Sequence, residues 1–155
     1  MSRSQAGLRV LLLLLAGLGC GADARTSDEP TLTIRDRVVT IEIARTQAEQ
    51  AQGLSDRASL AWHRGMLFVY DEPEFLSFWM KRMRFDIDIV WIRDSRIVEI
   101  TAFVPYPRED PMQPATVHSP ELSDMVLEVP AGYAQAHGWQ RGDRVSMELP
   151  DAAQP

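Results

Sequence analysis

The chain has 155 residues, 45% hydrophobic and 25% charged, with a formal net charge of −6. That length gives room for one domain with a real core, not two, and the acidic balance disfavours a general nucleic-acid or anionic-lipid surface, which needs basic patches. Cys20 is the single cysteine, which leaves no intrachain disulfide and no thiolate-ligated metal site.

The N-terminus reads as an export signal. Arg3 and Arg9 give it a positive start, and Val10 to Leu18 is apolar but shorter than the about 20 residues that span a bilayer. Ala16-Gly17-Leu18-Gly19-Cys20 resembles a bacterial lipoprotein signal, in which the cysteine is lipidated and becomes the new N-terminus. It departs in one respect: Gly17 stands where a leucine is usual. The alternatives are a secretory peptide cleaved nearby and a short anchor left uncut. Residues 1–20 are therefore expected to be a leader, 21–30 a small polar tether, and 31–150 the folded domain. The expected location is the bacterial cell envelope, facing the periplasm and held to the membrane by lipid on Cys20. A secreted or periplasmic soluble domain is the alternative. Loss of Arg3 and Arg9 would leave 14 basic against 22 acidic residues, a formal charge of −8.

From Thr31 to Ala44, apolar residues alternate (Leu32, Ile34, then Val39, Ile41, Ile43), which predicts two strands around a turn at Arg35-Asp36-Arg37. Thr46-Gln47-Ala48-Glu49 is a capping box, so a short helix should follow and stop at Gly53. Ser55 to Gly65 predicts a turn or a second short helix. Strands are expected at Met66–Tyr70 and Phe75–Met80, separated by the acidic turn Asp71–Glu74. In the second, Phe75, Ser77 and Trp79 share one face and Leu76, Phe78 and Met80 the other. Ile87–Ile92 is apolar on both faces and should be a central strand; Asp94-Ser95 turns it into Arg96–Val104. The short connections favour antiparallel pairing. Pro105 to Pro120 holds five of the ten prolines, and the expectation is a long loop without regular strand or helix, either a connector or a lid. Met125–Val129 predicts a strand, Pro130 opens a helix over Ala131–His137 that Gly138 stops, and Arg144–Leu149 predicts a closing strand. The fold class is α+β: a single small domain, mainly antiparallel β, barrel-like or a curled sheet, with two or three short helices.

Several pieces resemble the family known as domain of unknown function 192, or UPF0127. They are Gly53-Leu54, Arg64 to Phe68, Phe78-Trp79-Met80-Lys81, Asp88-Ile89, Val126 to Gly132 and Gly142-Asp143. They run in the family's order from about Leu32 to Glu148. The resemblance implies a small β-rich α+β domain, often exported, and no established reaction. Arg82-Met83 and Asp86-Ile87 stand where the family usually has Asn-Thr and Pro-Leu, so a site that uses the polar pair would be altered here.

The segment Arg64–Ile100 is rich in aromatics and broken by few charges, notably Lys81, Asp86 and Asp88. A charge inside an apolar run needs a partner or a task. Lys81 and Asp88 would meet if their strands were neighbours. Glu128, a lone acid between Leu127 and Val129, is a third candidate, and Trp79 a fourth, as core residue or as an aromatic platform. Together Trp79, Lys81, Asp88 and Glu128 are the candidate binding residues for a small polar or saccharide-like ligand. The alternatives are an enzyme acting on cell-wall or sugar substrates through paired Asp88 and Glu128, and a protein-interaction module using the Pro105–Pro120 loop. No catalytic set is assigned: there is no Gly-x-Ser-x-Gly elbow, Ser77 has no histidine near it in sequence, and His63, His118 and His137 lack ligand spacing. No cofactor and no metal are expected; the acids Glu72, Glu74, Glu109 and Asp110 read as solvated charge. No nucleic-acid partner is expected either.

Overall fold

The structure, a computed structural model, describes residues 28–108 and 112–150. The leader, Cys20 and most of the tether, with Glu109 and Asp110, lie outside the described residues. The first alternating stretch forms the hairpin expected of it, β1 (Thr31–Ile34) against β2 (Arg37–Ala44), antiparallel. Thr46 then caps α1 (Gln47–Gln52): its side-chain oxygen accepts from the Glu49 N–H, and Glu49 accepts from the Thr46 N–H at 2.9 Å. This satisfies two otherwise orphaned donors. Thr46→Ala is expected to cost about 1 kcal/mol in a urea titration.

The chain continues through turns, without the second helix allowed for Ser55–Gly65, into β3 (Arg64–Glu74). This crossover makes β3 parallel to β2, an exception to the expected antiparallel pattern. Gly65 is required here: a Cβ on it would lie 2.9 Å from the Glu128 carbonyl oxygen and 3.0 Å from Leu127 Cδ1. β5 (Ile87–Arg93) and β6 (Arg96–Val104) form a hairpin through Asp94 and Ser95, both in the left-handed region. β8 (Ser123–Pro130) inserts between β3 and β5, antiparallel to both. β9 (Val145–Glu148) pairs with β1, which gives a seven-stranded sheet in the order β6-β5-β8-β3-β2-β1-β9. Its two edges meet: Arg96 bridges Arg144, and the Val145 N–H donates to the Ser95 carbonyl at 2.9 Å. The sheet therefore curls on itself, as a strongly twisted antiparallel sheet can.

Several expectations are corrected: Asp71–Glu74, expected as a turn, is the last part of β3, and Pro130, expected to open a helix over Ala131–His137, ends β8, the helix spanning only Tyr133–Ala136. The Phe75–Met80 strand is shorter, β4 (Ser77–Trp79), and lies outside the main sheet. It pairs with β7 (Thr116–His118), a strand within the proline-rich stretch expected to hold none. The physical reason is local: residues 115–119 are free of proline between Pro114 and Pro120, so one short ladder is permitted.

Because side chains alternate, the sheet has two cores. One, enclosed by the curl, includes Leu32, Ile41, Leu67, Val90, Leu127 and Val145. It is closed by Tyr133 and Ala134 of α2 (Tyr133–Ala136) and by Trp139. The other lies on the opposite face, with Met66, Phe68, Ile89, Trp91 and Val126. The β4–β7 ribbon covers it: Phe78 meets Phe68 and Trp91 edge-on, at centroid distances of 4.8 and 5.6 Å.

Candidate functional site

Asp88 is wholly buried. Its Oδ1 accepts the N–H groups of Phe103 (2.9 Å) and Gly132 (3.0 Å), and its Oδ2 accepts that of Ala134 (3.0 Å). Three backbone donors hold this carboxylate, rather than the Lys81 ammonium that would have met it had their strands been neighbours. The carboxylate thereby ties the end of β6 to the turn entering α2. Phe103, a non-glycine residue at φ 55°, is held in the left-handed region with the help of this bond, while Gly132 adopts its φ of 84° freely. Lys81 is exposed and does not approach Asp88; its ammonium lies 5.0 Å from the ring centre of Trp79. The reason is topological: β4 pairs with β7, so Lys81 never becomes a neighbour of β5.

Glu128 lies on the other side of the sheet from Asp88. Ile89, not Asp88, is opposite Glu128, while Asp88 is opposite Val129. Adjacent positions on a strand face opposite ways, so the two carboxyls cannot flank one substrate. This corrects the paired-carboxylate arrangement. Glu128 is flanked across the ladder by Met66 and Ile89 and is 6% exposed. Among the described residues no group hydrogen-bonds its carboxyl, and burial pushes it up to about 8. Burial, with Glu74 and Glu128 adding, also pushes the Tyr70 phenol up to about 12. Tyr70 lines an open cavity of about 400 Å³ together with Arg45, Gln50, Asp71, Glu72 and Glu74.

The remaining candidates share a surface. Trp79, 53% exposed, is not a core residue; the alternation expected for its segment holds, with Phe75, Ser77 and Trp79 outward and Leu76, Phe78 and Met80 turned in. On that outer face β7 adds His118, opposite Ser77, and Thr116, opposite Trp79. Ser77 Oγ and His118 Nδ1 are 2.8 Å apart and exposed. Sequence reasoning missed this pair because 41 positions separate the two residues. Among the described residues no carboxylate engages His118, so the pair lacks the third member that activates a serine nucleophile. What the face offers is a polar centre, able to donate and accept hydrogen bonds, between two exposed rings. Among the described residues no group of three or more His, Cys, Asp or Glu side chains is placed to hold a metal ion.

The positions that depart from the usual family pattern have structural partners. Arg82 pairs with Asp56, Met83 is buried in the outer core, and Asp86 accepts the Tyr106 N–H at 3.0 Å and the Arg108 guanidinium at 2.6 Å.

The DUF192 model, described as an uncharacterized ACR, matches residues 30–147, nearly all of the folded domain. The chain belongs to the DUF192 family. A Novosphingobium aromaticivorans protein of unknown function is 32% identical, covering 75% of this DUF192 chain and 83% of its own, at a TM-score of 0.67. A Sinorhizobium meliloti protein, provisionally described as a transcription regulator, is 28% identical over 77% of this chain and 93% of its own, at a TM-score of 0.69. No curated protein matches. The family expected from the sequence is the one whose model matches, and the curled α+β domain is shared with these solved structures.

Proposed function

We propose that this DUF192 protein is an exported envelope domain, lipid-anchored through Cys20, that binds a saccharide-like ligand on the outer face of the β4–β7 ribbon. One observation carries the reading. Phe75 and Trp79, 69% and 53% exposed, stand on either side of the hydrogen-bonded Ser77–His118 pair on one open face. Exposed aromatics of this size leave apolar area in water that a ligand would cover. A sugar ring matches the face chemically: its C–H surface suits the aromatic rings, and its hydroxyl rim suits the serine and the imidazole. Lys81 over Trp79 restricts the indole at little cost, which favours a preorganised site. Export and the anchor rest on the leader's residues, Arg3, Arg9, the apolar run and Cys20. The Sinorhizobium protein is described as a transcription regulator; a form of regulation that works by binding DNA needs a basic surface, and this chain carries 22 acidic against 16 basic residues.

The test is calorimetric titration of the full chain with soluble N-acetylglucosamine oligomers and, separately, maltose oligomers. Binding of one series is expected, weakened tenfold or more by Trp79→Ala with a melting temperature close to that of the parent. Surface substitutions change stability by only about 0.5 kcal/mol. Unchanged binding in the variant, or no binding of either series, would rule the reading out.

A further inference from the structure

Among the described residues, Trp62 and Phe103 are the large exposed rings that lie outside the β4–β7 face, 49% and 55% exposed. Both rest on the turn that enters α2. Trp62 packs on Tyr133 at a centroid distance of 5.0 Å. The Phe103 ring covers Gly132 so closely that a Cβ there would lie 3.2 Å from it. Gly132 and Tyr133 are consecutive, so the two rings border one spot, at the end of the curled sheet that Tyr133 closes. Asp86 fastens Tyr106 to the same turn: its carboxylate accepts the Tyr106 N–H at 3.0 Å and its carbonyl the Ala131 N–H at 3.2 Å. The Arg108 guanidinium lies 4.5 Å over the Tyr106 ring. Phe103 is displayed from a strained backbone, a condition that persists where function uses it. Rings left half in water offer apolar area for a partner to cover.

The start of the domain says what that partner is. The Glu29 carboxylate takes the Arg64 guanidinium at 2.6 and 3.1 Å, and Arg64 is two residues beyond Trp62. Cys20 precedes Asp28 by eight residues, which reach at most about 29 Å. A domain of this size is about 35 Å across. Lipid on Cys20 therefore keeps the domain closer to the bilayer than its own width, with the end near Glu29 within reach. The β4–β7 face begins elsewhere: β3 carries the chain roughly 30 Å from Arg64 before Phe75 opens that face. Aromatic rings with arginine heads beside them are what the membrane–water boundary accepts, the rings at headgroup depth and the charges in water.

We propose that the end of the domain bearing Trp62 and Phe103 is a membrane-contact surface, the two rings seated in the headgroup region of the bilayer that holds the Cys20 lipid. This placement rests on the lipid anchor at Cys20 and is independent of the saccharide reading. The contact is apolar rather than charge-driven, in keeping with the acidic balance of the chain, so zwitterionic lipid is sufficient. It orients the domain with Phe75 away from the bilayer.

The experiment expresses the full chain in a bacterium, purifies it from the envelope and measures the mass at Cys20. The protein is then reconstituted in phosphatidylcholine vesicles with bromine on the upper acyl carbons, which quenches tryptophan emission on contact. An acylated Cys20 and clear quenching are expected, with at least half of the quenching lost in Trp62→Phe and none lost in Trp79→Phe. Phe103→Trp adds a fluorophore at the contact and should raise the quenched fraction; it also decides the matter should Trp62→Phe not fold. An unmodified Cys20 would overturn the anchor and the proposal with it. An acylated Cys20 without quenching, with equal quenching in Trp62→Phe, or without a gain in Phe103→Trp would overturn the proposal and leave the anchor standing. Quenching lost in Trp79→Phe instead would turn the ribbon toward the bilayer and overturn it as well. A cross-linkable dimer in the vesicles that Trp62→Ser abolishes would overturn it in favour of a second copy.

Discussion

Asp88→Ala should lower the stability of the protein by several kcal/mol, more than any surface substitution. The substitution removes one wholly buried carboxylate and leaves three backbone donors without it, those of Phe103 and Gly132, which are part-buried, and that of Ala134, which is buried. An orphaned buried donor costs about 1–3 kcal/mol and a part-buried one less, so the three together with the emptied space take a large share of the about 5–15 kcal/mol that holds a typical domain together. The damage also spreads. Phe103 is a non-glycine residue at φ 55°, and its bond to Asp88 helps hold it there. Asp88→Asn keeps one acceptor oxygen but turns an amide toward a backbone donor, and should cost less than the alanine. Urea midpoints of the three proteins test the order. A folded Asp88→Ala with a parental midpoint would mean the carboxylate is not the tie described here.

Glu128 should make the protein less stable as the pH rises. Its carboxyl is buried without a hydrogen bond and is pushed up from 4.5 to about 8. Below pH 4.5 both the folded and the unfolded chain hold this proton, and the group contributes no pH dependence. Between about 4.5 and 8 the unfolded chain releases the proton while the folded chain keeps it, so stability falls with pH. Above 8 both forms are ionised and the full penalty remains. A shift of that size corresponds to about 5 kcal/mol as an upper bound. Glu128→Gln cannot ionise. Its stability should be nearly level between pH 5 and pH 9 in this contribution, and at pH 9 it should exceed the parent by a few kcal/mol despite its unbonded amide. Urea unfolding of both proteins at the two pH values is sufficient. Parallel profiles would show that the Glu128 carboxyl finds a partner or solvent in the folded state.

These two acids also show how far a sequence can be read. Both stand out as charges among apolar residues, and both are buried, as that pattern implies. That they serve opposite faces of the sheet follows from a one-residue difference in the pairing of β5 with β8, and strand register is not visible in either strand alone. The same holds for Lys81, whose segment alternates as expected but belongs to a different sheet.

What the chain determined by itself is local. The alternation of β1, β2 and β4, the capping box of α1, the turn at Asp94-Ser95 and the apolar run of β5 each depend on neighbours within a few residues. Short-range sterics and hydrogen bonding decide them. Only the tertiary structure decided that β8 enters between β3 and β5, that Ser77 meets His118, that three backbone donors take Asp88, and that Arg96 faces Arg144 across the seam. Each of these joins positions far apart in the chain, and the pairing that brings them together is set by the packing of the whole sheet.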